Sequence, residues 1–182
     1  MPTIANAQIK LLERLCNACA VSGDEGEVRQ IVLAELQDCA DQLRVDALGN
    51  VLVRHNGSGR KRLRLMLSAH MDEVGFMLVD DEGEGIFRFE TVGGVDVRQL
   101  AGKPVLVGKA HVPGVIGARP IHLTEADERR KAIPLEALRI DLGPGTGLAK
   151  PGDRGTFATR FRRDGPALLA KSLDPPAARR GS

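Results

Sequence analysis

His70-Met71-Asp72 closes an apolar run, Leu63-Arg64-Leu65-Met66-Leu67-Ser68-Ala69, and opens Glu73-Val74-Gly75-Phe76. A neutral imidazole and a carboxylate two residues on share one face of an extended chain, the pairing a metal site at the end of a buried strand requires. Glu73 points to the opposite face and is assigned no catalysis. A second candidate, Cys16-Asn17-Ala18-Cys19, has C-x-x-C spacing. The redox reading needs a preceding strand and the zinc reading a second ligand pair, and the sequence supplies neither. Cys16 and Cys19 therefore read as packing like small apolar side chains, and with Cys39 they make an odd number in helical segments, which reads as thiols.

The elements that must position His70 begin with two helices. Ile9, Leu11, Leu12, Leu15 and Cys19 recur at helical spacing until Val21-Ser22-Gly23. Val28, Ile31, Val32, Leu36 and Cys39 form the stripe of a second helix, for which Ser22 or Asp24 is the expected cap. Arg44-Val45-Asp46 and Asn50-Val51-Leu52-Val53 read as strands around a Leu48-Gly49 turn. Leu63 to Ala69, almost unbroken in its apolar character, suits a strand covered on both faces by helices, with His70 and Asp72 at its carboxyl end. From Gly75 onward the texture changes to short β pieces: Gly75 to Val79, Ile86 to Phe89, Val105 to Val112 and Val115 to Ile116. Turns at Asp80 to Gly85, Gly93-Gly94 and Pro113-Gly114 punctuate them, which suits a small barrel or sandwich inserted into an α/β domain. His111 falls in an alternating stretch and reads as structural. Ala167-Leu168-Leu169-Ala170 is a last apolar piece, and Pro175 to Ser182 reads as a disordered tail.

Composition excludes several function classes. Of 182 residues, 42% are hydrophobic and 27% charged, ordinary for a globular protein able to bury a core. A net charge of +2, with no Trp or Tyr to stack on bases, argues against a nucleic acid partner. No apolar stretch reaches the length of a membrane span, and the amino terminus lacks a signal peptide's apolar block, so a cytoplasmic location without a membrane partner is expected.

The order of motifs resembles the M42 metallopeptidases, cytoplasmic aminopeptidases of the glutamyl and deblocking type, some members of which have been labelled endoglucanases. The resemblance rests on Val21-Ser22-Gly23 with Glu27-Val28-Arg29, Asp46-Ala47-Leu48-Gly49-Asn50 and Ser68 to Phe76. It continues through Val92-Gly93-Gly94-Val95-Asp96, Gly114-Val115-Ile116-Gly117, Ile140-Asp141-Leu142-Gly143, Pro151-Gly152-Asp153 and Lys171-Ser172-Leu173-Asp174. It implies an α/β zinc-peptidase domain, incomplete here and interrupted by a β-barrel-like dimerisation domain. The expected division is 1–72 for the first part of the peptidase domain, 73–165 for the inserted domain, and 166–182 for a return strand and tail. It further implies a site for two divalent ions, zinc or cobalt, with His70 ligating one metal, Asp174 bridging both, and Asp72 orienting His70 by accepting its second ring N–H. Peptide substrates and homo-oligomers built through the inserted domain follow from the same resemblance.

Family members continue past the bridging aspartate with a second Asp, an Arg, a Glu-Glu pair, a further carboxylate and a final His, and no such series of blocks follows Asp174 in these residues. The expectation is an amino-terminal fragment of a two-metal aminopeptidase, inactive alone. The competing reading is a non-catalytic dimerisation or interaction module with a vestigial metal site.

Overall fold

A computed structural model describes residues 4–59, 63–120, 122, 124–125, 130–145 and 147–171. Helix α1 (Asn6–Asn17) starts where the Gln8 side chain accepts the Ala5 backbone N–H at 2.9 Å. Helix α2 (Gly26–Leu36) follows it, and an Arg14–Glu35 ion pair joins the two. Their shared core is small: Ala18, Ala20 and Val28, flanked by Leu15, Ile31, Val32 and Met71. Neither expected cap acts on α2, whose N-cap is Glu25 with no side-chain bond. Both are engaged elsewhere, for Ser22 donates to Asp72 and Asp24 pairs with Lys109.

Strands β1 (Gln42–Val45) and β2 (Val51–Arg54) form an antiparallel ribbon as the sequence suggested. Asp46 shapes its turn by accepting the Leu48 and Asn50 N–H groups, each at 2.9 Å. The next segment departs from expectation. Residues 63–72 form no strand, and Leu63, Leu65, Met66 and Leu67 are each more than four-fifths exposed. An apolar run becomes a strand only when a neighbour completes its ladder, and among the described residues no strand lies beside it. His70 consequently sits on irregular backbone, and the first regular contact after it is a parallel bridge between Val21 and Glu73.

The remainder is a closed antiparallel barrel of six strands: β3 (Gly75–Gly83), β4 (Ile86–Val92), β5 (Pro104–Val107), β6 (Val112–Gly117), β7 (Arg139–Asp141) and β8 (Arg154–Phe157). Their order is β3-β4-β7-β6-β5-β8, with β8 pairing back onto β3. Inward residues build the main core from Phe76, Leu78, Phe87, Phe89, Leu100, Val105, Val107, Val112, Ile116, Leu138, Ile140 and Leu142. Phe76, fully buried, meets the rings of Phe89 and Phe157 edge-on at 5.4 and 5.0 Å. Gly85, at φ 80°, lets β4 start against β7, since a Cβ there would fall 2.0 Å from the Gly143 carbonyl oxygen.

Several strand boundaries differ from the sequence reading: β3 runs on to Gly83, through most of the expected Asp80 to Gly85 turn, and β4 runs on to Val92. The stretch from Val105 to Val112 is two strands joined at Gly108 to His111, which makes His111 a turn residue with φ 50° rather than a strand residue. Pro113-Gly114 lies inside β6, not in a turn. Apolar alternation continues across the turn and so hides it, whereas Gly108, at φ 67°, reverses the chain. Beyond the barrel, β9 (Arg162–Asp164) and β10 (Ala167–Leu169) form a second short ribbon. The coarse reading of mixed helix and strand with a β-barrel matches the structure.

Candidate metal-binding site

His70 and Asp72 are brought together. The ring Nδ1 of His70 lies 2.9 Å from Asp72 Oδ1 and 3.1 Å from the Asp72 backbone oxygen. Both partners are acceptors, so Nδ1 carries the proton and the neutral ring keeps its lone pair on Nε2. That ring is largely exposed. Asp72 is itself held, because the Ser22 hydroxyl donates to its second oxygen. The Ser22 hydrogen bond, outweighing the opposing effect of partial burial, keeps the Asp72 carboxyl below its ordinary value, and His70 adds to the effect. Val21-Ser22-Gly23 and His70-Met71-Asp72 thus meet in one relay: hydroxyl, carboxylate, imidazole. Asp174 lies outside the described residues.

Glu73 turns the other way, into the junction between the helical layer and the barrel. Its Oε1 accepts from Lys171 Nζ at 2.6 Å, the Thr156 hydroxyl at 2.8 Å and the Ala20 N–H at 3.3 Å. Lys171 also donates to the Ala18 carbonyl at 2.8 Å and to Thr156 at 3.1 Å. The side chains of Lys171 and Glu73 are only 3% and 9% exposed, so this charge pair is enclosed and its polar atoms satisfied. It joins four separate segments of the chain. The sequence offered one weak sign of it, a lysine closing the apolar piece Ala167 to Ala170.

A third constellation was not anticipated. The ligand-capable atoms of Cys19, Glu27 and His111 all lie within 4.8 Å of one another, and each residue is half-buried. Glu27 accepts the Cys19 backbone N–H at 2.9 Å through one oxygen, and its other oxygen lies 2.5 Å from His111 Nε2. Burial pushes the Cys19 thiol above its ordinary value, against the pull of Lys171. A groove lined by Gly23, Asp24, Gly108, Lys109, Gly152, Asp153 and Arg154 runs beside these residues. Cys19 and Glu27, with Asp24, Lys109 and Arg154, also line the adjoining cleft. No local spacing links residues 84 positions apart, as Glu27 and His111 are.

Among the described residues, no helix is long and apolar enough to cross a membrane.

A family model described as M42 glutamyl aminopeptidase matches residues 49–177. The lysyl aminopeptidase of Pyrococcus furiosus is 30% identical over 164 residues, 85% of this chain and 46% of that protein. Among solved structures, the TET aminopeptidase of Thaumarchaeota archaeon SCGC AB-539-E09 superposes with a TM-score of 0.78 at 31% identity, covering 86% of this chain and 46% of its own. The TET1 peptidase of Pyrococcus horikoshii, which can assemble into a tetrahedron or a large octahedral shell, gives 0.71 at 37% identity, covering 85% and 47%. The chain spans about half, or less, of the length of the relatives it matches.

Proposed function

The chain belongs to the M42 glutamyl aminopeptidase family, and on that premise we propose that it forms the amino-terminal part of a cytoplasmic, two-metal aminopeptidase that removes amino-terminal residues from peptides. The observation that carries the reading is the relay from Ser22 through Asp72 to His70, which holds the Nδ1 proton and leaves Nε2 as the metal-binding atom. The donor chemistry fits one position of a divalent centre. Among the described residues no group of three ligands surrounds His70, and in this reading Asp174 supplies a further position.

In this proposal His70 would hold one divalent ion and Asp174 would be shared with a second, zinc or cobalt. Bound ions of that kind polarise a scissile carbonyl and lower the pKa of an attacking water. Asp72 contributes by fixing the tautomer of His70 and by keeping its own charge, which Ser22 stabilises. Residues 1–72 then belong to the peptidase domain, 73–165 to an inserted domain that mediates self-association, and 166–182 to the return. The shell-forming assembly of the Pyrococcus horikoshii TET1 peptidase supports the self-association. Residues 1–182 alone carry too little of the metal shell to catalyse.

The test is an aminopeptidase assay on the native gene product with short peptides. Activity should disappear on chelation and fall by at least about 100-fold in His70→Ala, the loss of one direct ligand exceeding that of an outer-shell partner. Full activity in His70→Ala would overturn the assignment, and peptide cleavage by residues 1–182 alone would overturn the claim of incompleteness. The self-contained core of the barrel favours a second reading, an interaction module with a vestigial site. A native product that self-associates but neither binds metal at His70 nor cleaves peptides would establish it.

A further inference from the structure

We propose that Cys19, Glu27 and His111 form a separate mononuclear site for a divalent metal of the zinc class, clamping the turn between β5 and β6 onto the helical layer. Three ligand types converge from three parts of the chain: a thiol just after α1, a carboxylate in the first turn of α2, and an imidazole from the β5–β6 turn. Sulfur, imidazole nitrogen and one carboxylate oxygen make a donor set suited to zinc, with a fourth tetrahedral position left for water. The adjoining cleft, lined by Cys19 and Glu27 themselves, gives that water its access.

The spacing is close to what a metal demands. Bonds of about 2.0–2.3 Å put tetrahedral ligand atoms about 3.3–3.8 Å apart. The 2.5 Å Glu27–His111 contact therefore has to open by roughly an ångström and the wider separations, at most 4.8 Å, to close by about as much, both within the reach of side-chain rotation. Two further features favour a ligand role over a plain ion pair. His111 holds a positive φ of 50°, uncommon for a residue with a side chain, and its imidazole is directed at Glu27. An ion pair also makes no use of the Cys19 sulfur, which lies within ligand range of both other groups. Glu27 is pre-oriented, since its Oε2 is fixed by the Cys19 N–H. The site shares no residue with His70, Asp72 or Asp174 and does not rest on the peptidase reading.

Cobalt(II) titration of the full chain tests this. Sulfur-to-cobalt charge transfer absorbs in the near ultraviolet, where a protein without Trp or Tyr contributes little. One equivalent of cobalt should produce the band, and zinc should abolish it by displacement. Cys19→Ser should lose the band, with Cys19→Ala as a second variant and circular dichroism as the check on folding. His111→Gln should weaken cobalt binding by at least about tenfold. His70→Ala should leave the band unchanged, because no sulfur belongs to that centre. Zinc should also raise the thermal midpoint of the parent chain and not of Cys19→Ser. A parent chain with no band, or a band that survives Cys19→Ser because Cys16 or Cys39 supplies the sulfur, would overturn the proposal.

Discussion

Replacing Lys171 with methionine tests whether the enclosed charge pair holds the helical layer against the barrel. The side chain keeps its length and apolar stem but loses all three N–H donors, to Ala18, Glu73 and Thr156. Glu73 is then left 9% exposed with a carboxylate and two neutral donors, the Thr156 hydroxyl and the Ala20 N–H. Breaking a buried pair from one side costs about 3–5 kcal/mol, and the two surviving donors place Lys171→Met near the lower end, about 3 kcal/mol. At a urea slope of about 1–3 kcal/mol per molar, the unfolding midpoint should fall by about 1–3 M. Far-ultraviolet circular dichroism is the readout, as the chain has no Trp or Tyr to fluoresce. Adding Glu73→Gln to Lys171→Met removes the stranded charge and should restore about 2 kcal/mol. A single variant within about 0.5 kcal/mol of the parent, or a double variant no more stable than the single, would refute the reasoning.

Two other perturbations address the relay and the barrel. Ser22→Ala should raise the Asp72 pKa back toward the ordinary carboxylate value, measured by NMR titration of the side chain. Because the folded-state pKa is depressed, the stability Asp72 contributes is present above the ordinary carboxylate value and lost as pH falls through the lowered one. Ser22→Ala should therefore flatten the acid limb of the stability profile, and an unchanged limb would count against the relay. Gly85→Ala combines a φ of 80° with a Cβ 2.0 Å from a backbone oxygen, so a loss of at least about 2 kcal/mol is expected in thermal unfolding.

Local signals were legible in the sequence where the structure is decided locally. Both helices, the β1–β2 ribbon and most barrel strands were marked by apolar period and by turn residues such as Gly83, Gly93 and Gly94. The boundary at Gly108 was obscured because Val105-Leu106-Val107 and Val112 continue one pattern across it. Leu63 to Ala69 shows a different limit: apolar side chains record a demand for burial but not the element that meets it. His70 and Asp72 could be paired from a spacing of two, whereas Ser22 joins them from 50 residues away. Long-range partners account for the rest, since Glu73 with Lys171, and Glu27 with His111, are set by how the barrel sits on the helices.

The six-stranded closure also restricts how copies of this chain can join. With β8 paired back onto β3, every barrel strand has a neighbour on each side, so among the described residues one-sided backbone in the barrel is confined to strand ends such as 88–92 of β4, and association elsewhere on it has to use side chains and turns. Open edges belong also to the β1–β2 and β9–β10 ribbons and to the unladdered backbone before His70. Surface substitutions on the barrel should thus tune assembly without affecting backbone pairing, whereas edge-to-edge aggregation, if provoked, would begin in the segments flanking it.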